Sequence, residues 1–242
     1  MYSSYGFPEY VSVAERKKKN EKAAEKLKKK QKDICPVVIT GRKLASTWWG
    51  IAWNKNLESY SDYSNRIPRG RSYVRNGSVL DLKIGKEKIS ALVQGSGRKP
   101  YEVDITITPL SINRWNKIID NSMGKIDSLE ELVKGKFPKS LESLFTEKNN
   151  GLFPSPKEIK FDCDCPDWAS MCKHVAAVLY GIGARLDENP ELFFTLRGIN
   201  INEFIEKTTI NMAEALLIKS QKTSNRIIDN EDVSALFDVE MD

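Results

Sequence analysis

Residues 161–174 read Phe-Asp-Cys-Asp-Cys-Pro-Asp-Trp-Ala-Ser-Met-Cys-Lys-His, which sets three cysteines and a histidine in the pattern C-x-C-x6-C-x-H. Three soft thiolates and one imidazole are the donor set that tetrahedral zinc prefers, so Cys163, Cys165, Cys172 and His174 are the candidate ligands of one Zn2+ ion. The histidine is the only one in the chain, and it falls two residues after a cysteine. With all four places filled by protein, no position is left for an activated water, and such a site is structural rather than catalytic. The spacing is not C-x-x-C, which argues against a redox role for Cys163 and Cys165. Clustering of three of the four cysteines is metal-site usage, not a disulfide framework, and Cys35 is read as an uninvolved thiol.

The elements that must position these donors follow from their spacing. On a strand, residues i and i+2 project to the same side, so an extended segment from Ile159 to Cys165 presents both sulfurs together while Asp164 turns away. Inside a helix i and i+2 lie about 200° apart. Cys172 therefore belongs at or just before a helix start, with His174 in the first turn of a helix running to about Arg185 and Val175, Val178, Leu179 and Ile182 on its inner face. Zinc would clip strand to helix, and replacing His174 is expected to unfold that segment while the rest of the sheet survives.

The 242-residue chain, 40% hydrophobic, is long enough to bury a core. Residues 12–32 mix Ala, Glu, Lys and Leu and read as a solvated helix that cannot anchor a core. Trp49, Ala52, Trp53, Leu57 and Tyr60 follow 3–4 spacing and predict a first packed helix. From Ser72 to Pro109 the period changes to two: Tyr73-Val74-Arg75, a turn at Asn76-Gly77, then strands over 79–84, 89–94 and 101–108, together an antiparallel meander with one buried and one wetter face. Helices are expected after Ser111, near residues 128–134 and 139–146, and again over 190–197 and 201–219, with Phe193, Phe194, Leu196, Phe204 and Ile205 as core candidates. The fold class is α+β: a small antiparallel β-meander packed with helices, plus a zinc knuckle leading into a helical C-terminal region.

Net charge is +5, and its distribution says more than its size, because the front of the chain at 16–32 is Lys-rich and residues 229–242 are acidic. Arg66, Arg69, Arg71, Tyr73 and Arg75 are candidate nucleic-acid contacts, since an extended 71–75 segment sets two guanidinium groups and a stacking ring on one face. Arg98 and Lys99 in the Gly-rich loop at 95–99 extend that set. A solvated rim of the sheet explains the same residues, and the Lys-rich head equally serves phosphate attachment or solubility. Gly85-Lys86, Gly124-Lys125 and Gly135-Lys136 lack the spacing of a phosphate-binding loop, and the sole imidazole is assigned to metal, so no enzyme is expected. No apolar run is long enough to cross a bilayer and none follows the basic head in signal-peptide fashion, so no membrane partner and a cytoplasmic location are expected.

With Asp167-Trp168 between its ligand pairs and an apolar helix after His174, the segment resembles the SWIM zinc finger. Thr47-Trp48-Trp49-Gly50 and Arg66-Ile67-Pro68-Arg69-Gly70-Arg71-Ser72-Tyr73 also resemble the bacterial SWIM zinc finger proteins, some of which are encoded beside Swi/Snf-type helicases. The resemblance covers roughly residues 45–200 and implies the same four ligands. It leaves the Lys-rich head and acidic tail unmatched, and the chain is read as a Lys-rich arm (1–36, partly helical or disordered), an α+β domain with the meander (37–150), a SWIM-type finger with a helical region (151–222) and an acidic tail (223–242). The resemblance carries a functional expectation as well. It implies a zinc-binding module acting in DNA binding, as an adaptor for a DNA-associated helicase-like ATPase, or both. The alternative is a purely protein–protein adaptor with no nucleic-acid contact, in which zinc is structural only. In that case residues 232–242, with Val233, Leu236, Phe237, Val239 and Met241 among acids, have the composition of a short motif that folds on a partner.

Overall fold

The period-two segments form a sheet: β1 (Val79–Ile84), β2 (Lys88–Val93) and β3 (Tyr101–Ile107) run as a meander, and β4 (Ile159–Cys163) joins β3, giving the antiparallel order β1-β2-β3-β4. The computed structural model describes residues 11–62, 64–122 and 137–220; the helix expected near residues 128–134 and the acidic tail lie outside the described residues. Ile89, Ala91 and Val93 line up with Val103, Ile105 and Ile107 on one buried face, while Lys88, Ser90 and Thr106 point the other way. The two-faced alternation fails at β1, where a register shift between Val79 and Asp81 leaves Val79, Leu80, Asp81 and Leu82 all buried. The extended chain at 35–37 runs along that edge. Val37 N–H donates to Val79 O at 3.1 Å, Leu82 N–H to Cys35 O at 3.0 Å, and Cys35 N–H to the Asp81 carboxylate at 2.8 Å, so the edge strand is covered.

Helices α1 (Val13–Lys30), α2 (Trp48–Glu58) and α3 (Arg66–Arg75) precede the sheet. The structure corrects the expected strand at Tyr73-Val74-Arg75, which is the last turn of α3. Ile67, Gly70 and Val74 recur at helical spacing and are buried, and Gly77, at φ 67°, takes the left-handed position beyond the cap. Its N–H donates to Val74 O at 3.0 Å and that of Ser78 to Tyr73 O at 3.0 Å, so Asn76-Gly77 stops a helix instead of turning a hairpin. The Lys-rich segment is not a detached arm. Ser12 and Glu15 form a capping box at its start, and Asn20, buried in mid-helix, donates through Nδ2 to Asn76 O at 2.8 Å and Ser78 Oγ at 3.0 Å.

After the meander come α4 (Ile112–Ser122), α5 (Glu142–Thr146), then, beyond β4, α6 (Lys173–Glu188), α7 (Leu192–Leu196) and α8 (Ile201–Ser220). The expected inner face of α6 is too narrow: every residue from His174 to Gly183 is buried. The helix lies across the sheet's apolar face and is covered from the other side by α2 and α3, and a helix apolar all round belongs in such a place. Trp48, Trp49 and Trp53 anchor α2 by donating their indole N–H groups to the carbonyls of Phe137, Leu186 and Leu179 at 2.8–2.9 Å. Phe145, Phe153, Phe193, Phe194, Phe204 and Trp115 fill the remaining core, with Ile205 half-buried beside them. Among the described residues, no helix is long and apolar enough to cross a membrane.

Candidate metal centre

The donors are delivered from two directions. β4 ends at Cys163, and pairing with β3 continues one residue further, where Asp164 N–H donates to Glu102 O at 3.3 Å and Glu102 N–H to Asp164 Oδ1 at 3.0 Å. Asp164 is thereby turned away from the sulfurs, and Cys163 and Cys165 share a side as strand alternation requires. The loop to Cys172 is tied down by an Arg66–Asp167 ion pair at 2.8 Å, with side chains only 14% and 11% exposed, and by Ser170 N–H donating to Asp62 at 2.9 Å. Cys172 is the N-cap of α6, its Sγ accepting from Val175 N–H at 3.5 Å, and His174 stands in the first turn.

The four donor atoms lie within 4.8 Å of one another, and His174 Nδ1 is 3.9 Å from both Cys163 Sγ and Cys172 Sγ. Zinc bonds of about 2.3 Å to sulfur and about 2.0 Å to nitrogen give tetrahedral edges of about 3.5–3.8 Å, so a small contraction closes the cluster on an ion. Cys165, Cys172 and His174 are buried and Cys163 half-buried. This Cys3His cluster is compatible with a bound metal ion such as zinc.

The three thiols polarise one another. The Cys163 thiol donates to Cys172 and, against the effect of burial, lowers it to about 4, with His174 and the Val175 N–H adding to the shift. Cys163 is pushed up by that same bond and by burial, and Cys165 is pushed up chiefly by burial. Binding a cation takes cysteines as thiolates, so protons would leave the cluster when a metal enters. Sequence reasoning missed the rings around the imidazole. Tyr101, the first residue of β3, stacks on His174 at 4.5 Å and 28°, and Tyr73 meets it edge-on at 5.4 Å. A long-range stack of this kind leaves no local spacing to read.

The other candidates are sorted by the helical form of α3. Arg66, Arg69 and Tyr73 occupy one flank and Arg71 and Arg75 the other, so the face that an extended segment would share among Arg71, Tyr73 and Arg75 does not form. Arg71 pairs with Glu58 at 2.5 Å and donates through Nε to the Tyr180 hydroxyl at 2.8 Å, while Arg75 donates to Arg42 O at 3.2 Å. Arg69, Arg98 and Lys99 are exposed. Burial raises the Tyr73 hydroxyl, and the charges of Arg16 and Arg69 partly offset that rise. Lys19 Nζ reaches Ser96 O at 3.4 Å, joining α1 to the loop that carries Arg98 and Lys99.

No protein-family model matches the chain, and no solved structure matches it. An uncharacterized protein of Mycobacterium tuberculosis, Rv2102, is 35% identical over 156 residues, which is 64% of this chain and 56% of the relative, so the match spans little more than half of that protein's length.

Proposed function

We propose that Cys163, Cys165, Cys172 and His174 hold one structural zinc ion, and that the chain is a SWIM-type module acting in DNA binding, as an adaptor for a DNA-associated helicase-like ATPase, or both, rather than as an enzyme. The observation that carries the metal reading is the convergence of three sulfurs and one ring nitrogen, all within 4.8 Å, at the junction of a strand end and a helix cap. All four donors come from the protein, which gives the ion a holding role and no open position for substrate. DNA binding is supported by the exposed cations on α3, on α1 and in the 95–99 loop.

The competing reading, a protein adaptor without nucleic-acid contact, is favoured by Ile210, Leu217 and Ile218, all at least half exposed on the distal part of α8. Elemental analysis of protein purified without added metal tests the first claim: one zinc per chain is expected, and none for His174→Ala. A metal-free wild type with freely titrating thiols and an intact fold would end it. Titration with DNA at several ionic strengths tests the second, since binding to phosphates must weaken steeply as salt rises.

A further inference from the structure

We infer that the flank of α3 bearing Arg69, together with Arg16 and Lys19 of α1 and the exposed ring of Trp168, is a surface that takes a single-stranded nucleic acid. The inference rests on the DNA-binding half of the proposed function and gives it an address and a strand preference. Three features bring these residues together although they come from three separate parts of the chain. In α3 the positions 66, 69 and 73 follow i, i+3, i+7 spacing, so they form a row about 10 Å long beside the buried stripe of Ile67, Gly70 and Val74. The Arg66–Asp167 pair then fixes the metal loop against the start of that row, and Trp168, the next residue, stands 79% exposed beside it. At the other end of the row, Asn20 locks α1 onto the turn after α3, which brings Arg16, one helical turn earlier, to that end of the molecule and sets Lys19 on the 95–99 loop.

Arg16, Arg69, Arg98 and Lys99 are exposed and enter no ion pair among the described residues. Of the acids nearby, Asp167 is paired with Arg66, whereas Asp164 and Asp62 accept backbone N–H groups and keep their charge. A row of guanidinium and ammonium groups suits a polyphosphate backbone, and an indole standing in solvent at its end suits an unpaired base, whose flat face a duplex keeps covered. Arg71 and Arg75, on the opposite flank and turned toward Glu58 and Arg42, have no part in it.

The test is fluorescence anisotropy with the zinc-loaded full chain, using a labelled 15-nucleotide single strand and the matching duplex over a range of salt. The wild type is expected to hold the single strand more tightly. The double variant Arg16→Glu/Arg69→Glu should lose at least tenfold in affinity and flatten the salt slope by about 1.4, whereas Lys28→Glu/Arg75→Glu, with the same change in net charge, should lose much less. Trp168→Ala should weaken the single strand about fivefold or more and leave the duplex nearly unchanged. Circular dichroism and zinc content check that each variant is folded. Equal losses in the two double variants would overturn the address, and a duplex preference or an unaffected Trp168→Ala would overturn the strand assignment. Displacement of the oligonucleotide by polyglutamate at equal charge would assign the surface to acidic protein. Absence of any nucleic-acid binding by the wild type would remove the DNA-binding reading with it, whereas binding that ignores Arg16 and Arg69 removes only this inference.

Discussion

Arg197 is 1% exposed and charged, and it is held by Glu158 at 2.6 Å and the Thr108 carbonyl at 2.8 Å, with Arg114 joining Glu158 at 3.0 Å. Burial pushes the Glu158 carboxyl up, but the Arg197 guanidinium and the Ser155 N–H outweigh it and hold the acid down at about 2, against an ordinary 4.5. The folded value lies below the unfolded one, so the stability this group supplies is complete above about 4.5 and is lost as the pH falls toward 2. Wild-type Tm is therefore expected to drop across that window, and Glu158→Gln to show a shallower fall from a start about 3–5 kcal/mol less stable, because Arg197 is left buried without its counter-charge. Acid release of metal acts on both proteins, so a Glu158→Gln curve as steep as the wild type's would contradict the assignment. At this scale the Cys3His cluster was legible, because donor type and spacing are local properties. The Arg197–Glu158 pair was not, since nothing near either residue in the chain announces the other.

Between elements, α3 packs extensively and tightly on α6. A Cβ on Gly70 would stand 2.5 Å from Ala176 Cβ and 3.0 Å from the Ala176 carbonyl carbon, so Gly70→Ala must push the helices apart. A loss of about 1–3 kcal/mol is expected in chemical denaturation, with weaker zinc retention because α3 also braces the metal loop through Arg66. An unchanged midpoint would mean that α6 yields freely. The same contact explains why α3 was read as a strand. Tyr-Val-Arg before Asn-Gly is strand-and-hairpin chemistry, and the partner that makes a helix of it lies far along the chain. The strands of the meander were legible because alternation is local. The docking of α1 was hidden because it depends on Asn20, a polar residue whose bonds to Asn76 and Ser78 no hydrophobic pattern registers.

For the molecule as a whole, α6 decides what metal loss does. The sequence suggested local unfolding around the ligands with the sheet surviving, but the helix that begins at the ligands is sandwiched between the sheet and the α2–α3 pair. Apparent zinc-binding free energies of about 10–16 kcal/mol in finger peptides match or exceed the total stability of an ordinary domain, about 5–15 kcal/mol. Chelation is therefore expected to lower Tm by more than 10 °C, with helix and sheet signals lost together in one transition. Two separated transitions would restore the local picture. The tryptophans offer a way to watch this. Of the five, Trp49, Trp53 and Trp115 are buried, Trp48 is partly so, and only Trp168 stands in solvent, within the loop that spans the ligand pairs. Intrinsic emission should accordingly divide into a blue component that iodide cannot reach and a red one that it extinguishes, so that the knuckle reports its own state without a label.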